Sequence, residues 1–499
     1  MFQVSRRSAA LATFAGSSAT VAITVAQAFL LIPLALLHLE PSLYGAWLAA
    51  TEVLIWIQLL DGGLPNLLTQ RAGAAVGRGD HVDAARWAST CVAGLAAVGL
   101  VLLVVAVWAA PFVGTWSQAP VPERAVFVDC FRVGVLASVL LLLSHGFVGL
   151  ARGVQRTAIV NATQVAGALT GLIVSMAMLV SGAGLWAFPA GLLVRSLIAV
   201  LGAVLFLRSL PRPWRMWWAR PSRTHARELR SLIPSMSAAS VGVVVANNSE
   251  ILLVNTVLGP VPALAYALTR RAFDGVRSLL DTIAWAVAGG FAHMVTAEDR
   301  HRARGVLREI LWVRLAAACL ATSAVLAVNQ RFVELLFGSA NFGGVGLTLA
   351  FALQTVLVGH SFLVNFLWRA TGSVREGSWM LTAESVLRVA AMALGLRVIG
   401  SLGAPIGSIV ISVVMIYVAH LAIGGALPEG ATRRLGWKAV LAPLLVMGLG
   451  VVVAMAPVPS SWWSVGFCVV VVGLGGAALL WYARPVVPPG ESVLRWSRR

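Results

Sequence analysis

Apolar positions in this chain gather into long uninterrupted runs, parted by short stretches rich in arginine, glycine and proline. The runs fall at 11–36, 46–68, 87–112, 126–150, 158–181 and 184–207. After a basic stretch they resume at 232–258, 262–292, 309–328, 344–368, 378–398, 403–425, 438–456 and 462–483. None alternates apolar and polar residues at every second position, as a strand of a membrane barrel would. A helix rising about 1.5 Å per residue needs about 20 apolar residues to cross the hydrocarbon core. Only helices or closed barrels satisfy their backbone groups at that depth. The pattern therefore predicts an all-α polytopic membrane protein with about 14 transmembrane helices.

Composition agrees with that reading. Of 499 residues, 59% are hydrophobic and 11% charged, where a soluble domain carries about 25% charged residues. The net charge of +18 would suit a nucleic-acid partner, but the cations sit in short loops between the runs, so none is expected. Cys91, Cys130, Cys319 and Cys468 lie inside runs without metal-ligand spacing. They predict free thiols, with no disulfide framework and no metal. Arg6, Arg7 and "AQA" at Ala26–Ala28 resemble a secretory signal. The apolar run continues through "FLLIPLALL", too long for a signal core, so a retained first span is expected.

Loop charge orients the spans. With the N-terminus inside, 27 basic residues fall in cytoplasmic segments, and only Arg124, Arg331 and Arg397 in outer ones. Such an asymmetry puts both termini in the cytoplasm. The largest outer connections, near Gly114–Arg124 and Asn329–Gly343, are about a dozen residues long. The connector "RSLPRPWRMWWARPSRTHARELRSL" divides six spans from eight. Its Trp214, Trp217 and Trp218 among arginines suit a segment on anionic headgroups, or simply a positive linker.

Two internal matches support the division. "LLLSHGFVGLARGVQRT" around His145 resembles "VLVGHSFLVNFLWRATGSVRE" around His360, and "GLWAFPAG" around Pro189 resembles "GSLGAPIG" around Pro405, at nearly equal offsets. The expected domains are a six-helix lobe at 1–207, a basic cytoplasmic connector at 208–231, a second six-helix lobe at 232–425, and two further helices with a basic tail at 426–499. An even number of spans per lobe predicts a pseudo-twofold along the membrane normal. Transporters built this way place substrate between the halves. His145 and His360 are expected to serve as interhelical hydrogen-bond donors.

The eighth run is unlike the others. "ALTRRAFDGVRSLLDTIAWA" carries Arg270, Arg271, Asp274, Arg277 and Asp281. Each charge facing lipid near mid-bilayer costs about 2.5–3.5 kcal/mol. At 100° per residue Arg270, Asp274, Arg277 and Asp281 sit at roughly 0°, 40°, −20° and 20°, one stripe rising roughly 16 Å. Such a face must look into protein or water. Its signs alternate, so Arg277 is expected to balance two acids, and Arg271, off the stripe, to contact a substrate. The seventh run supplies Glu250, which the hairpin around Gly259–Val261 brings to the depth of Arg270 as a candidate ion-pair partner. Arg195 is a further cavity candidate. Glu52 and Asp61 are charge-pairing or ion-coupling candidates, Asp61 alternatively capping a helix break at Gly62–Pro65. Glu384 and Arg388 form an i,i+4 pair expected to be structural.

No "GxxxxGK[ST]", "HExxH" or nucleophile elbow is present. Outer connections of about a dozen residues leave no room for a catalytic domain. No enzyme, catalytic residue or cofactor is expected.

"YGAW…LLDGGLPNLLTQRAGAAVGRGD" from Tyr44 to Asp80 resembles the second span and first loop of bacterial polysaccharide flippases, within the multidrug/oligosaccharidyl-lipid/polysaccharide exporter superfamily. "ARGVQRTAIVNA", "GAGLWA" and "GPVPALAYALTRR" resemble it too, in order. The resemblance implies two six-helix lobes around a cavity. It also implies transfer of polyprenyl-pyrophosphate-linked oligosaccharide across the bacterial inner membrane for cell-surface polysaccharide. The implied partners are that substrate, membrane lipids, and a polysaccharide polymerase or glycosyltransferase. Relatives that flip the peptidoglycan precursor carry charge in span one. Here that span has no charged residue, its polar positions including Ser17, Ser18, Thr20, Thr24 and Gln27, which ranks that substrate lower. A cation-coupled multidrug exporter is the other alternative, and arginine in the eighth run speaks for an anionic cargo.

Overall fold

The computed structural model describes residues 23, 26–27, 29–154, 156–210, 222–296, 300–370, 373–426, 437–457 and 459–483. Most of the first span, the tryptophan-bearing part of the connector and the C-terminal tail lie outside the described residues. The chain divides into two compact units, Met1–Ala263 and Leu264–Arg499.

The first unit holds α1 (Phe29–His38), α2 (Pro41–Leu59), α3 (Leu64–Gly77), α4 (His81–Trp116), α5 (Arg124–Gly153), α6 (Ala158–Val180), α7 (Ala187–Ser209), α8 (Arg223–Asn247) and α9 (Glu250–Leu258). Helix α10 (Pro260–Thr296) starts there and runs into the second unit. The second unit continues with α11 (Arg300–Phe337), α12 (Val345–Ala370), α13 (Val374–Ile399), α14 (Gly403–Ala426), α15 (Trp437–Met455) and α16 (Trp462–Ala483). Thirteen of the fourteen apolar runs coincide with one helix or with a broken pair, and the first, at 11–36, is described mainly in its last part, which falls in α1. Among the described residues nine helical stretches are long and apolar enough to cross a bilayer, and the bent α8–α9 pair makes ten. One of the nine, Arg375–Ala422, is two helices, α13 and α14, packed on one another. Helices α1 and α15 show shorter apolar stretches.

Two spans of the first unit are broken, each for a local reason. Between α2 and α3, Gly62 and Gly63 take φ of 62° and 76°, which side-chain-bearing residues rarely adopt. The Asp61 carboxylate accepts the freed Gly63 N–H at 2.8 Å. Between α8 and α9 the axis turns by 49° at Asn248–Ser249, where "ANNSE" interrupts the apolar run. The Asn248 carbonyl there accepts the indole N–H of Trp56 at 2.8 Å. Both breaks thus have partners for backbone groups that a helix would otherwise satisfy internally.

Polar ties also show which turns share a face of the first unit. His225 Nε2 meets Asp83 Oδ1 at 3.0 Å, and Ser222 N–H donates to Thr90 Oγ1 at 3.2 Å. The start of α8 is therefore held to the start of α4. At the other end Gln118 donates to the carbonyls of Asn255 and Thr256 at 3.2 and 3.3 Å. Single cysteines at 71–86 and 222–230 should accordingly be labelled from the cytoplasm, and those at 117–119 and 181–184 from outside. Labelling of 222–230 from outside would overturn the orientation.

The internal repeat is visible as one device used twice. Helix α7 packs on α5 and α6, and α14 packs on α12 and α13. Each is entered through a 3-10 turn, Gly184–Trp186 and Gly400–Leu402. Each turn begins on a glycine of positive φ, 60° and 64°, and Pro189 and Pro405 stand third in their α-helices. Close backbone approach follows in both, Gly171 against Gly191 and Gly395 against Gly403. Small residues of this kind let membrane helices pack without a hydrophobic driving force between them.

One connection is shorter than the apolar pattern implies. Helix α11 runs on to Phe337, past the expected end of its span at 328. Its polar residues fit there because each finds partners. Asn329 donates to the Thr269 carbonyl at 3.0 Å and to Thr348 Oγ1 at 3.2 Å. Arg331 is buried and donates to the carbonyls of Ala327 and Ala456 at 2.9 and 2.7 Å, so it lies in a helix and ties down the end of α15.

Candidate functional site

The charged stripe of α10 faces a cleft within the second unit. Arg270, Phe273, Asp274 and Arg277 line it from α10, Phe351, Gln354, Thr355 and Val358 from α12, and Arg388 from α13. Its interior accessible to the centre of a water molecule is about 10 Å³, room for about one water. As it stands the cleft is narrow, lined by side chains of α10, α12 and α13.

Three guanidinium groups and one carboxylate meet in this cleft. Arg270 is buried, and its Nε–H donates to Asp274 Oδ1 at 2.9 Å, the i,i+4 pairing expected of the stripe. Asp281 accepts a hydrogen bond from Arg314 Nη2 of α11 at 3.2 Å. Both acids flanking Arg277 are thus engaged by other arginines. Arg277 is half-buried and makes no ion pair or hydrogen bond with another described residue. Arg271 likewise has no such partner among the described residues, but it stands off the cleft lining. The surplus positive charge of the stripe therefore sits at Arg277.

Arg314 gives no sign in the sequence beyond being an arginine in an apolar run. Its side chain is 0% exposed, whereas Asp281 keeps 33%. Gly359 of α12 leaves the room it needs, since a Cβ there would run into the guanidinium. The next residue, His360, is stacked on His420 of α14 with ring centroids 5.9 Å apart. Its Nδ1 has no hydrogen-bond partner among the described residues.

Glu384 does more than stand one turn before Arg388 on α13. The buried Glu384 carboxylate accepts the Ser361 hydroxyl of α12 at 2.9 and 3.0 Å and the Ser412 hydroxyl of α14 at 3.2 Å. It fixes three helices one turn from Arg388, which reaches the cleft.

The remaining candidates lie in the first unit. Glu52 is buried on α2, and Glu250 is buried in the first turn of α9. A carboxylate there complements the partial positive charge of the helix start. Asp61 caps the α2–α3 break. Arg195, on α7, is half-buried with an Nε that has no partner among the described residues. Among those residues no three His, Cys, Asp or Glu side chains converge as metal ligands.

No protein-family model and no curated protein matches the chain. Solved structures do. An inward-facing multidrug resistance MATE family transporter of the MOP superfamily superposes with a TM-score of 0.64 at 14% identity, over 83% of this chain and 96% of the other. The lipid II flippase MurJ, in an inward closed conformation, gives 0.61 at 9% identity, over 89% and 98%. The chain has the fold of the MOP-superfamily transporters. A third superfamily transporter, from Pyrococcus furiosus, is described as having a binding pocket of reversed polarity, and gives 0.57 at 14% identity over 83% and 95%. The likeness shows the fold, and the described helices long and apolar enough to cross a bilayer agree with a multi-pass membrane protein.

Proposed function

We propose that this protein is a flippase that carries polyprenyl-pyrophosphate-linked oligosaccharide from the cytoplasmic to the outer leaflet of the bacterial inner membrane by alternating access. The observation that carries the reading is Arg277, which lines the α10 cleft beside Arg270 and Arg388 and makes no ion pair with another described residue. A pyrophosphate would find in Arg277 a guanidinium that no described acid engages. A lipophilic cation would meet a positive lining instead, which argues against the multidrug alternative. The charge-free first span keeps the peptidoglycan precursor below other lipid-linked sugars as cargo.

The proposed cycle needs no nucleotide. With the inside negative, an anion moving outward gains about 2.3 kcal/mol per charge per 100 mV. Two charges crossing the full field would gain about twice that. Buried Glu52 and Glu250 and half-buried Asp61 are the groups through which a coupled cation would act on the cycle. In the proposed topology both termini are cytoplasmic, with lobes at 1–207 and 232–425 joined by a cytoplasmic connector at 208–231. A polysaccharide polymerase or glycosyltransferase would be the working partner.

The test is in cells. Loss of the protein should leave lipid-linked oligosaccharide in the cytoplasmic leaflet and deplete it outside, with the wild-type chain restoring both. Normal outer-leaflet glycan without the protein would refute the reading.

A further inference from the structure

Arg132 and Asp129 have no place in the transport site, yet both stand inside the fourth apolar run. They are bonded to each other on α5, Arg132 Nη1 to Asp129 Oδ1 at 2.9 Å, with side chains 44% and 55% exposed. An exposed charge on a membrane helix meets lipid, so its depth decides what it can touch. Helix α5 has 30 residues, about 45 Å at 1.5 Å per residue, against a hydrocarbon core of about 30 Å. Centred in the bilayer, it puts Arg132 about 5 Å inside the hydrocarbon edge on the side of the α4–α5 turn. An arginine stem covers that distance and brings the guanidinium to the level of lipid phosphates.

Beside the pair runs a groove of about 920 Å³ between α4 and α5. Leu103, Val107, Trp108, Phe112, Val133 and Leu136 wall it, with Arg132 at its margin. Trp108 and Phe112 are 74% and 63% exposed, their rings 5.8 Å apart. The groove thus joins an apolar trough to adjacent positive and negative groups at headgroup depth. A purely anionic headgroup would satisfy Arg132 and be repelled by Asp129. A phosphate with a primary ammonium a few atoms away matches both, and a quaternary ammonium has no N–H to donate to the carboxylate.

We propose that this groove binds one zwitterionic aminophospholipid, with its phosphate on Arg132, its ammonium on Asp129 and an acyl chain against Trp108 and Phe112. The inference is independent of what the protein transports. The test offers the purified full-length chain an equimolar mixture of ethanolamine, choline and glycerol phospholipids with identical acyl chains, and counts retained lipid by native mass spectrometry. Wild type should retain the ethanolamine lipid roughly tenfold over either competitor, the discrimination of one charge-assisted hydrogen bond. Asp129→Asn should abolish the preference over choline, and Asp129→Asn/Arg132→Gln should abolish selectivity altogether. Both side chains are exposed, so melting temperatures should stay near wild type. Equal retention of the three lipids by wild type would reduce the pair to a self-neutralised surface contact and overturn the proposal, whether or not any variant folds. A preference unchanged in the double variant, or one for the glycerol lipid, would also overturn it.

Discussion

Replacing Asp281 by asparagine should sharply reduce the yield of folded protein, and replacing Arg314 as well should restore most of it. Asp281 bonds Arg314 at 3.2 Å, and the guanidinium it serves is 0% exposed. Removing one partner of a buried pair leaves an uncompensated charge and costs about 3–5 kcal/mol, whereas an apolar replacement of both is often neutral. At about 1.4 kcal/mol per factor of ten, that loss is about two to four powers of ten in the folding equilibrium. Asp281→Asn/Arg314→Met should therefore melt close to wild type and Asp281→Asn well below, with a smaller loss for Arg314→Met, which leaves the one-third-exposed Asp281 in reach of water. Additive losses in the cycle would mean that the two groups do not depend on one another.

The second large effect concerns Arg277. It lines the cleft, and both neighbouring acids are held by other arginines. Arg277→Ala should therefore leave abundance and melting near wild type while reducing outer-leaflet delivery of lipid-linked sugar. A hydrogen bond to a charged group contributes about 1.5–3 kcal/mol, so the reduction should be about tenfold to a hundredfold. Arg277→Lys should keep part of the activity, because a phosphate accepts a point charge as well as a guanidinium fork. Arg271→Ala, off the cleft, should have the smaller effect. Equal transport by Arg277→Ala and wild type at matched abundance would return the stripe to a purely structural role.

The contrast between Arg277 and Arg271 shows where sequence reasoning reaches its limit. The helical period placed Arg270, Asp274, Arg277 and Asp281 on one face, and the Arg270–Asp274 bond is the neighbour pairing that period implies. What a single helix cannot show is competition from the next one. Arg314 lies 33 residues beyond Asp281 in the chain, and its claim on that acid turns Arg277 from a balanced residue into the surplus cation. Glu384 is a similar case. Its spacing to Arg388 was legible, but the Ser361 and Ser412 hydroxyls that bind it come from two other helices. The fourteen runs were readable because bilayer thickness sets helix length from outside the molecule. Their ends were less so. Asn329 and Arg331 read as loop until their backbone-carbonyl partners are known. The breaks at Gly62–Gly63 and Asn248–Ser249 carried local signals in glycine, proline and polar clusters, and Asp61 caps the first of them as one of its two readings implied.

The most direct test of an anionic lipid-linked cargo is transport by the purified chain in liposomes. A short lipid-pyrophosphate-linked oligosaccharide and a lipophilic cationic dye would be followed in the same preparation, with a potassium-diffusion potential imposed. The proposed function predicts that the lipid-linked sugar crosses toward the positive side, faster as the potential grows, that Arg277→Ala slows it, and that the dye gradient is left unchanged. Movement of the dye coupled to a cation gradient, with the lipid-linked sugar remaining in its original leaflet, would contradict it.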